Sequence, residues 1–182
     1  MCTIRFHVYY SFICDEAVIY EAAVNTKGAA GTSMLDADEW RKMIGSNVYG
    51  NVSNDLRKEI AIMARLLCSE TISDPDSIEA LMNCRLIPLS KNPGVRPIGI
   101  GEVLRRIIGR SIVSVFRNDI VTSSGNLQLC GGQRSGCEIA IHAAVDLFSD
   151  DDTHGILQID ARNAFNSLNR KVAVHNIKIQ KS

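Results

Sequence analysis

Apolar positions recur at helical spacing through the first half of the chain. Asp36 and Glu39 have the spacing of a capping box, and the apolar face that follows them ends at Gly45, so this segment should be a helix. A longer helix is predicted from Ser53, and residues 74–75 open a short third one. The inward face of the longer helix consists of Leu56, Ile60, Met63, Ala64 and Leu67. This half of the chain should therefore be helix-rich.

Two short apolar runs then replace the helical pattern. Residues 86–89 and 95–98 are predicted to be strands, and the loop between them ends in Asn-Pro-Gly at 92–94, which is typical of a turn. Because each run contains a proline, the strands should occupy edge positions or contain bulges. The pattern predicts a β-hairpin.

Helical spacing returns after the hairpin. Residues 102–117 and 137–148 should form two helices separated by a polar, glycine-rich connection. The apolar run 156–159 then stops at Asp160, which is typical of a buried strand that turns into a helix near Ser167. The inward residues of the first of these helices should be Leu104, Ile107, Ile108, Ile112 and Val115. The order of elements predicts an α+β fold.

Composition is ordinary for a folded domain. Of 182 residues, 46% are hydrophobic and 22% are charged. Basic and acidic residues balance at 20 each, but residues 85–110 contain six Lys and Arg against Glu102 alone. That local excess would attract phosphate groups. Residues 1–25 are interpreted as a leader, either disordered or misjoined, and the alternative left open is that they are a genuine N-terminal segment.

The cysteines and the first apolar stretch indicate the cellular compartment of the protein. The six cysteines form no C-x-x-C pair and no zinc pattern with histidine. Residues 4–20 are too short and too charged for a membrane span, and their charge order is poor for a signal peptide. We therefore expect reduced thiols in a protein of the cytoplasm or nucleus, with no membrane association.

The basic residues around the hairpin form the first candidate site. Lys91 lies in the loop, Arg96 opens the returning strand, and Arg105 and Arg106 lie in the next helix. A stiff hairpin can hold Lys and Arg over a triphosphate through charge-assisted hydrogen bonds. The same residues would also make a solvated basic edge that prevents aggregation. The pattern alone leaves both interpretations open.

Asp160 is the second candidate. A carboxylate at the end of a strand can bind Mg²⁺, but aspartate is also a common helix cap. Phe165 would by itself be a core residue. Residues 148–151 spell aromatic-x-Asp-Asp, yet they precede Asp160 and follow a helix, which is typical of a solvated loop. The interpretation of Asp160 as a metal ligand or as a helix cap therefore depends on the motifs around it.

Three blocks in order resemble motifs of reverse transcriptases. Residues 86–91 followed by Arg-Pro-Ile-Gly at 96–99 resemble the fingers motifs, in which a lysine precedes an Arg-Pro-Ile strand. Residues 128–136 resemble the Gly-Gln block before a helix, and residues 159–166 resemble the first palm motif. The resemblance covers about residues 32–177 and is closest to retroelement enzymes of the non-LTR type.

The resemblance implies a partial right-hand polymerase and a role for each motif residue. Residues 26–150 would be fingers-like, and residues 151–182 would be a truncated start of the palm with a strand-turn-helix. Asp160 would bind two catalytic Mg²⁺ ions, assisted by the Ala161 carbonyl, for RNA-directed DNA synthesis. The incoming deoxynucleoside triphosphate would contact Lys91, Arg96, Ala161 and Phe165, the last as the steric gate. The RNA template and DNA primer would lie near Arg105, Arg106, Arg110, Gln133 and Arg134.

The chain also departs from the family pattern. The Gly-Gln block lacks its usual Phe, and Asn163 stands where some relatives have an acid. The aromatic-x-Asp-Asp motif, which supplies two further metal ligands, does not follow Asp160. We therefore expect a reverse-transcriptase fragment that is inactive alone. The alternative is a non-enzymatic nucleic-acid-binding remnant that uses the basic fingers, and a helical interaction domain with accidental motifs comes last.

Overall fold

The computed structural model describes residues 14–45, 50–70, 72–125, 135–149, 155–159, 167–169, 171–172 and 175. The chain divides into two compact units, residues 1–134 and residues 135–182. The described part is mostly helical with one antiparallel hairpin, which confirms the α+β class. None of the helices within these ranges is long and apolar enough to cross a membrane.

The first unit contains helices α1 to α6 and the hairpin. The helices are α1 (Glu16–Asn25), α2 (Ala37–Gly45), α3 (Gly50–Ser69), α4 (Glu79–Met82), α5 (Val103–Val115) and α6 (Arg117–Ser124). The hairpin strands are β1 (Cys84–Ser90) and β2 (Val95–Gly101), and a 3-10 turn (Pro75–Ile78) precedes α4. The second unit contains α7 (Gly136–Phe148).

Helix α1 lies within the hydrophobic core. The Asp15 carboxylate caps it by accepting a hydrogen bond from the Val18 N–H at 3.0 Å. The buried residues of α1 are Ile19, Ala22 and Ala23. Because this face packs against α2, α3 and α5, the leader interpretation of residues 1–25 is wrong for residues 14–25. Residues 1–13 lie outside the described ranges.

The predicted capping box opens α2. The Asp36 carboxylate accepts hydrogen bonds from the N–H groups of Asp38 and Glu39, both at 2.9 Å. The Glu39 carboxylate in turn accepts from the Asp36 N–H at 2.8 Å. Trp40 and Ile44 pack in the core as the helical spacing predicts, and the helix ends at Gly45. This prediction is confirmed.

Helix α3 begins at Gly50, earlier than the predicted start at Ser53. Its buried residues are Ser53, Ile60, Ala61 and Ala64. Met63 is 38% exposed, so the prediction that it faces inward is wrong. The buried face is rotated toward Ala61, which leaves Met63 at its margin.

The single helix predicted over residues 102–117 is two helices. Helix α5 ends at Val115, Phe116 is its C-cap residue, and α6 begins at Arg117. The buried residues of α5 are Val103, Ile107, Ile108 and Ser111, and Leu104 and Ile112 pack partly against the same core. Val115 is 36% exposed, so its predicted inward position is wrong, because the last turn of α5 lies beyond the core.

The hairpin explains how both prolines fit into strands. The Lys91 N–H donates to the Gly94 carbonyl at 2.9 Å, and β1 pairs with β2 over its full length. Since hydrogen-bonded and non-hydrogen-bonded pairs alternate, Pro88 and Pro97 face each other in a non-hydrogen-bonded pair. At such a pair the backbone N–H of each residue points away from the partner strand, and proline has no N–H. The ladder between β1 and β2 therefore loses no hydrogen bond, and the outer edge of each strand has one donor fewer. The predicted edge positions are confirmed.

The second unit differs from its prediction after α7. Helix α7 confirms the helix predicted over residues 137–148. Residues 155–159 form no strand in the part of the chain described, and Ile159 is 80% exposed, so the predicted buried strand is wrong for these residues. A short apolar run becomes a strand only where another strand pairs with it. The second compact unit begins at Ser135.

Candidate nucleotide and nucleic-acid interface

The tip of the hairpin carries the two residues that the sequence assigns to a triphosphate. Lys91 follows β1 directly, and Arg96 lies opposite Leu89 near the start of β2. Both side chains are exposed. No described acidic side chain lies within salt-bridge distance of either one. The structure therefore places both cations on one hairpin, with their side chains exposed to solvent.

The hairpin buries little surface. Leu86 is 67% exposed and Val95 is 64% exposed, and the exposed apolar residues also include Leu89 and Ile98. Arg85, Ile87 and Ile100 are half-buried, and Gly101 at the base is the one fully buried residue of the two strands. The tip is therefore held mainly by the ladder between β1 and β2 and by contacts at the base.

Arg105 and Arg106, which the sequence places near a template, bind backbone carbonyls of this chain. Arg105 Nη1 donates to the Met82 carbonyl at 2.9 Å. Arg106 Nη1 donates to the Lys27 carbonyl at 2.8 Å, and its Nη2 donates to the Ala29 carbonyl. Both guanidinium groups thus have structural partners, whatever else they contact.

Arg110 differs from its two neighbours. It lies one turn after Arg106 on α5 and is exposed. No described carboxylate forms an ion pair with it. Among the three predicted nucleic-acid contacts on α5, Arg110 is the one whose side chain is most open to a ligand.

Glu102 is a site residue whose role the sequence did not reveal. Its carboxylate accepts hydrogen bonds from the Thr32 hydroxyl at 2.6 Å, the Ser33 N–H at 2.8 Å and the Ser33 hydroxyl at 2.6 Å. Arg85 on β1 donates to the Ala30 carbonyl of the same loop at 3.1 Å. The available signal was that Glu102 is the single acid among six basic residues, but its partners lie 69 and 70 positions away.

The hydrogen bonds keep Glu102 ionised although the residue is buried. The Ser33 and Thr32 hydroxyl groups lower the pKa of this carboxyl to about 2, against a smaller opposing effect of burial. The backbone N–H of Ser33 adds to the same effect. The carboxylate is therefore a fixed negative charge at the base of a basic hairpin.

Two glycines allow the loop to approach α5. A Cβ atom on Gly31 would lie 2.7 Å from Glu102 Oε1 and 2.9 Å from Glu102 Cα. Gly28 has a φ angle of +108°, and a Cβ atom there would lie 2.8 Å from Arg106 Nη1. Close packing against Glu102 thus requires glycine at position 31, and the positive φ angle favours glycine at position 28.

A cavity of about 390 Å³ lies beside this loop, at the start of α2. Its lining combines basic and acidic residues with small ones: Lys27, Gly28, Ala29, Asp36, Ala37, Asp38 and Arg41. Arg41 is already bonded to Asp38 and to the Thr26 carbonyl. None of the residues predicted for the site lines this cavity, and its charges largely neutralise one another.

Five predicted site residues lie outside the described residues: Gln133, Arg134, Asp160, Ala161 and Phe165. The structure therefore provides no geometry for the predicted Mg²⁺ site or for the steric gate. Within the described ranges, no group of three His, Cys, Asp or Glu side chains could hold a metal ion.

Comparison with known proteins adds no assignment. No family model matches the chain, and no curated protein sequence matches it. The ordered motifs and the exposed cations of the hairpin are the features of this chain that bear on its function.

Proposed function

We propose that this chain provides the fingers and the first palm motif of a reverse transcriptase of the retroelement, non-LTR type. The observation that carries the proposal is the exposed pair Lys91 and Arg96 on one hairpin, without acidic partners among the described residues. Surface cations are common, but the order of the three sequence blocks gives this pair a specific counterpart in the fingers of that family.

The proposed role of the hairpin is to grip the triphosphate of an incoming deoxynucleotide. Arg96 supplies a planar fork of donors, and Lys91 supplies a compact positive charge. The backbone ladder fixes β1 and β2 relative to each other, so binding would cost mainly the side-chain entropy of Lys91 and Arg96 rather than backbone entropy. The RNA template and DNA primer would lie on the side of Arg110.

Polymerisation itself is a proposal for the complete catalytic site. Asp160 and the Ala161 carbonyl would hold Mg²⁺, and the metal would supply charge stabilisation at the reacting phosphate. Within these 182 residues, no aromatic-x-Asp-Asp motif follows Asp160. We therefore expect this chain alone to bind nucleotide and nucleic acid without extending a primer.

The triphosphate proposal is tested by measuring binding of a fluorescent deoxynucleoside triphosphate to the whole chain. Lys91→Ala combined with Arg96→Ala should weaken binding at least tenfold, because two charge-assisted contacts are lost. The control is Lys42→Ala combined with Lys58→Ala, which removes the same charge from helices α2 and α3. Equal weakening by both pairs would show that only overall charge matters, and would remove the proposal.

Catalysis is tested separately with a primed RNA template, Mg²⁺ and the four deoxynucleotides. The chain should show no extension above a reaction without protein. Robust synthesis that disappears in Asp160→Ala would overturn the expectation that the isolated chain is inactive, while supporting the family assignment.

Exposed Arg110 favours a second candidate, a non-enzymatic module that binds RNA or DNA. Such binding should weaken as salt increases, with a slope set by the number of phosphate contacts. Arg96→Ala and Arg110→Ala are the informative variants. Arg105→Ala and Arg106→Ala would also remove contacts to backbone carbonyls. A loss of affinity in these variants could therefore result from a loss of stability. Binding that is insensitive to salt and to both informative variants would exclude this candidate.

A further inference from the structure

The base of the hairpin is held by a polar clamp, which we define as Arg85 and Glu102 together with their partners in residues 30–33. Arg85 lies one residue inside the start of β1, and Glu102 immediately follows the end of β2. Because the first residue of β1 pairs with the last residue of β2, the two clamp residues sit at the same end of the hairpin. Both reach the same loop, one from each strand.

The loop itself is anchored to the helical core. Arg106 on α5 binds the carbonyls of Lys27 and Ala29, and Arg41 on α2 binds the carbonyl of Thr26 at 3.0 Å. Thr26 is buried and donates from its hydroxyl to the Ala22 carbonyl of α1 at 2.7 Å. The clamp therefore joins the hairpin to three core helices through one short, fixed segment.

Apolar packing does not provide an equivalent restraint. Apart from the half-buried Ile87, the apolar side chains of the hairpin are exposed above its base, so hydrophobic contacts define the direction of the hairpin only weakly. The hydrogen bonds of Glu102 are short and charge-assisted, and two glycines allow the backbone to approach closely. Directional bonds of this kind fix orientation as well as distance.

We propose that Arg85 and Glu102 are positioning residues that set the direction of the hairpin and thereby the location of Lys91 and Arg96. The seven-residue strands span roughly 20 Å from base to tip at about 3.3 Å per residue. A rotation of about 10° at the base would then move the tip by roughly 3–4 Å, more than a hydrogen bond tolerates. The clamp itself stands on the structure, whereas its consequence for triphosphate binding rests on the proposed function.

The first measurement is the distance between two genetically encoded spin labels, one at position 92 in the hairpin turn and one at position 42 on α2. In the full chain the distance distribution should be narrow. Glu102→Ala should broaden it, and Glu102→Gln should restore it in part, because the amide oxygen still accepts a hydrogen bond from the Ser33 N–H. Asp55→Asn is the matched control, since it removes an exposed ion pair on α3 and should leave the distribution unchanged.

A second variant covers the case in which Glu102→Ala fails to fold. Ser33→Asp keeps the buried glutamate but places a second carboxylate against it, and like charges repel. This variant should broaden the distribution while far-UV circular dichroism remains that of the wild type. A folded Ser33→Asp or Glu102→Ala protein with an unchanged distribution overturns the proposal.

The second measurement is the affinity for inorganic tripolyphosphate, which isolates the phosphate grip. Glu102→Gln should weaken binding several-fold, and its effect should be small when Lys91 is already alanine, because both changes act through one contact. If Lys91→Ala has no effect but Glu102→Ala broadens the distance distribution, the clamp stands and the triphosphate function fails. If Lys91→Ala weakens binding and the Glu102 variants change neither readout, the clamp fails and the function stands.

Discussion

Gly31 shows how strongly one position can depend on a residue 71 places later in the sequence. Any side chain there would meet both the carboxylate and the Cα of Glu102, and the Cα cannot move away without shifting the start of α5. We expect Gly31→Ala to lower the free energy of unfolding by about 1–3 kcal/mol, the usual range for overpacking. Urea unfolding followed by circular dichroism measures the change.

Gly109 provides the matched control for this prediction. It lies inside α5, and a Cβ atom there would have no heavy atom within 4 Å beyond the helix's own backbone. Gly109→Ala should therefore raise the free energy of unfolding by about 0.5–1 kcal/mol. If both alanine variants shift stability in the same direction, the close approach at Gly31 is not the cause.

The pKa of Glu102 gives a prediction about pH. The pKa of the Glu102 carboxyl is about 2 in the folded chain, whereas its ordinary value, expected in the unfolded chain, is 4.5. Folding therefore favours the ionised form. The resulting stability is fully present above about pH 4.5 and is lost as the pH falls through about 2. In Glu102→Gln, the free energy of unfolding should decline less steeply between pH 4.5 and 2 than in the wild type.

A pH series of urea unfolding curves tests this expectation. Glu21→Gln, at an exposed position on α1, serves as the control for loss of one acid. Parallel pH profiles for the wild type and Glu102→Gln would mean that the hydrogen bonds of Glu102 do not stabilise its ionised form.

For individual residues, the sequence predicted local contacts well and distant contacts poorly. The capping box of Asp36 and Glu39 follows from spacing alone, because all its partners lie within three positions. Arg106 was predicted to face nucleic acid, yet its guanidinium binds carbonyls 77 and 79 positions away. In the sequence, an arginine that contacts a ligand cannot be distinguished from one that binds a backbone carbonyl of its own chain. Only the fold identifies the partner.

At the element scale, α5 is central because it packs against α1, α3 and α2. Ile107 is fully buried in this contact, whereas Val115 is 36% exposed on the last turn. Ile107→Ala should lower the free energy of unfolding by about 2–5 kcal/mol, the range for buried large-to-small changes. Val115→Ala should have a much smaller effect, of about 1 kcal/mol or less.

Thermal and urea unfolding of the two variants measure the difference. Comparable losses would show that the buried face of α5 extends to Val115, as the helical spacing first suggested.

Elements were predicted where the pattern was periodic or bounded by turn residues. The hairpin was recognisable from two apolar runs around an Asn-Pro-Gly turn, and its register supports both prolines. Helix α1 was missed because apolar residues occur on most of its faces, so its periodicity is weak. The apolar run 156–159 predicts a strand, but an apolar run does not contain the partner that a strand needs.

At the scale of the whole molecule, the cysteines report on which parts of the chain are packed. Cys14 is completely buried and its thiol lies 3.7 Å from the Ser111 hydroxyl, whereas Cys84 is exposed at the base of the hairpin. Burial raises the pKa of the Cys14 thiol. Iodoacetamide should therefore label Cys84 much faster than Cys14, whose reaction requires the core to open.

Peptide mapping by mass spectrometry after timed labelling measures both rates. In urea the two rates should converge, since the core is then open. If Cys14 were labelled as fast as Cys84 under native conditions, α1 would not remain packed. Residues 14–25 would then have to be interpreted again as a leader.

The α+β class, most helix positions and the hairpin follow from local sequence patterns, as do the ordered motifs that resemble those of reverse transcriptases. These depend on local spacing and turn chemistry, which are written in neighbouring residues. Three outcomes became visible once the chain was folded: α1 belongs to the core, Arg105 and Arg106 bind carbonyls, and Glu102 binds a distant loop. Those outcomes depend on which surfaces meet when the chain folds, because burial and hydrogen-bond partners are properties of three-dimensional proximity.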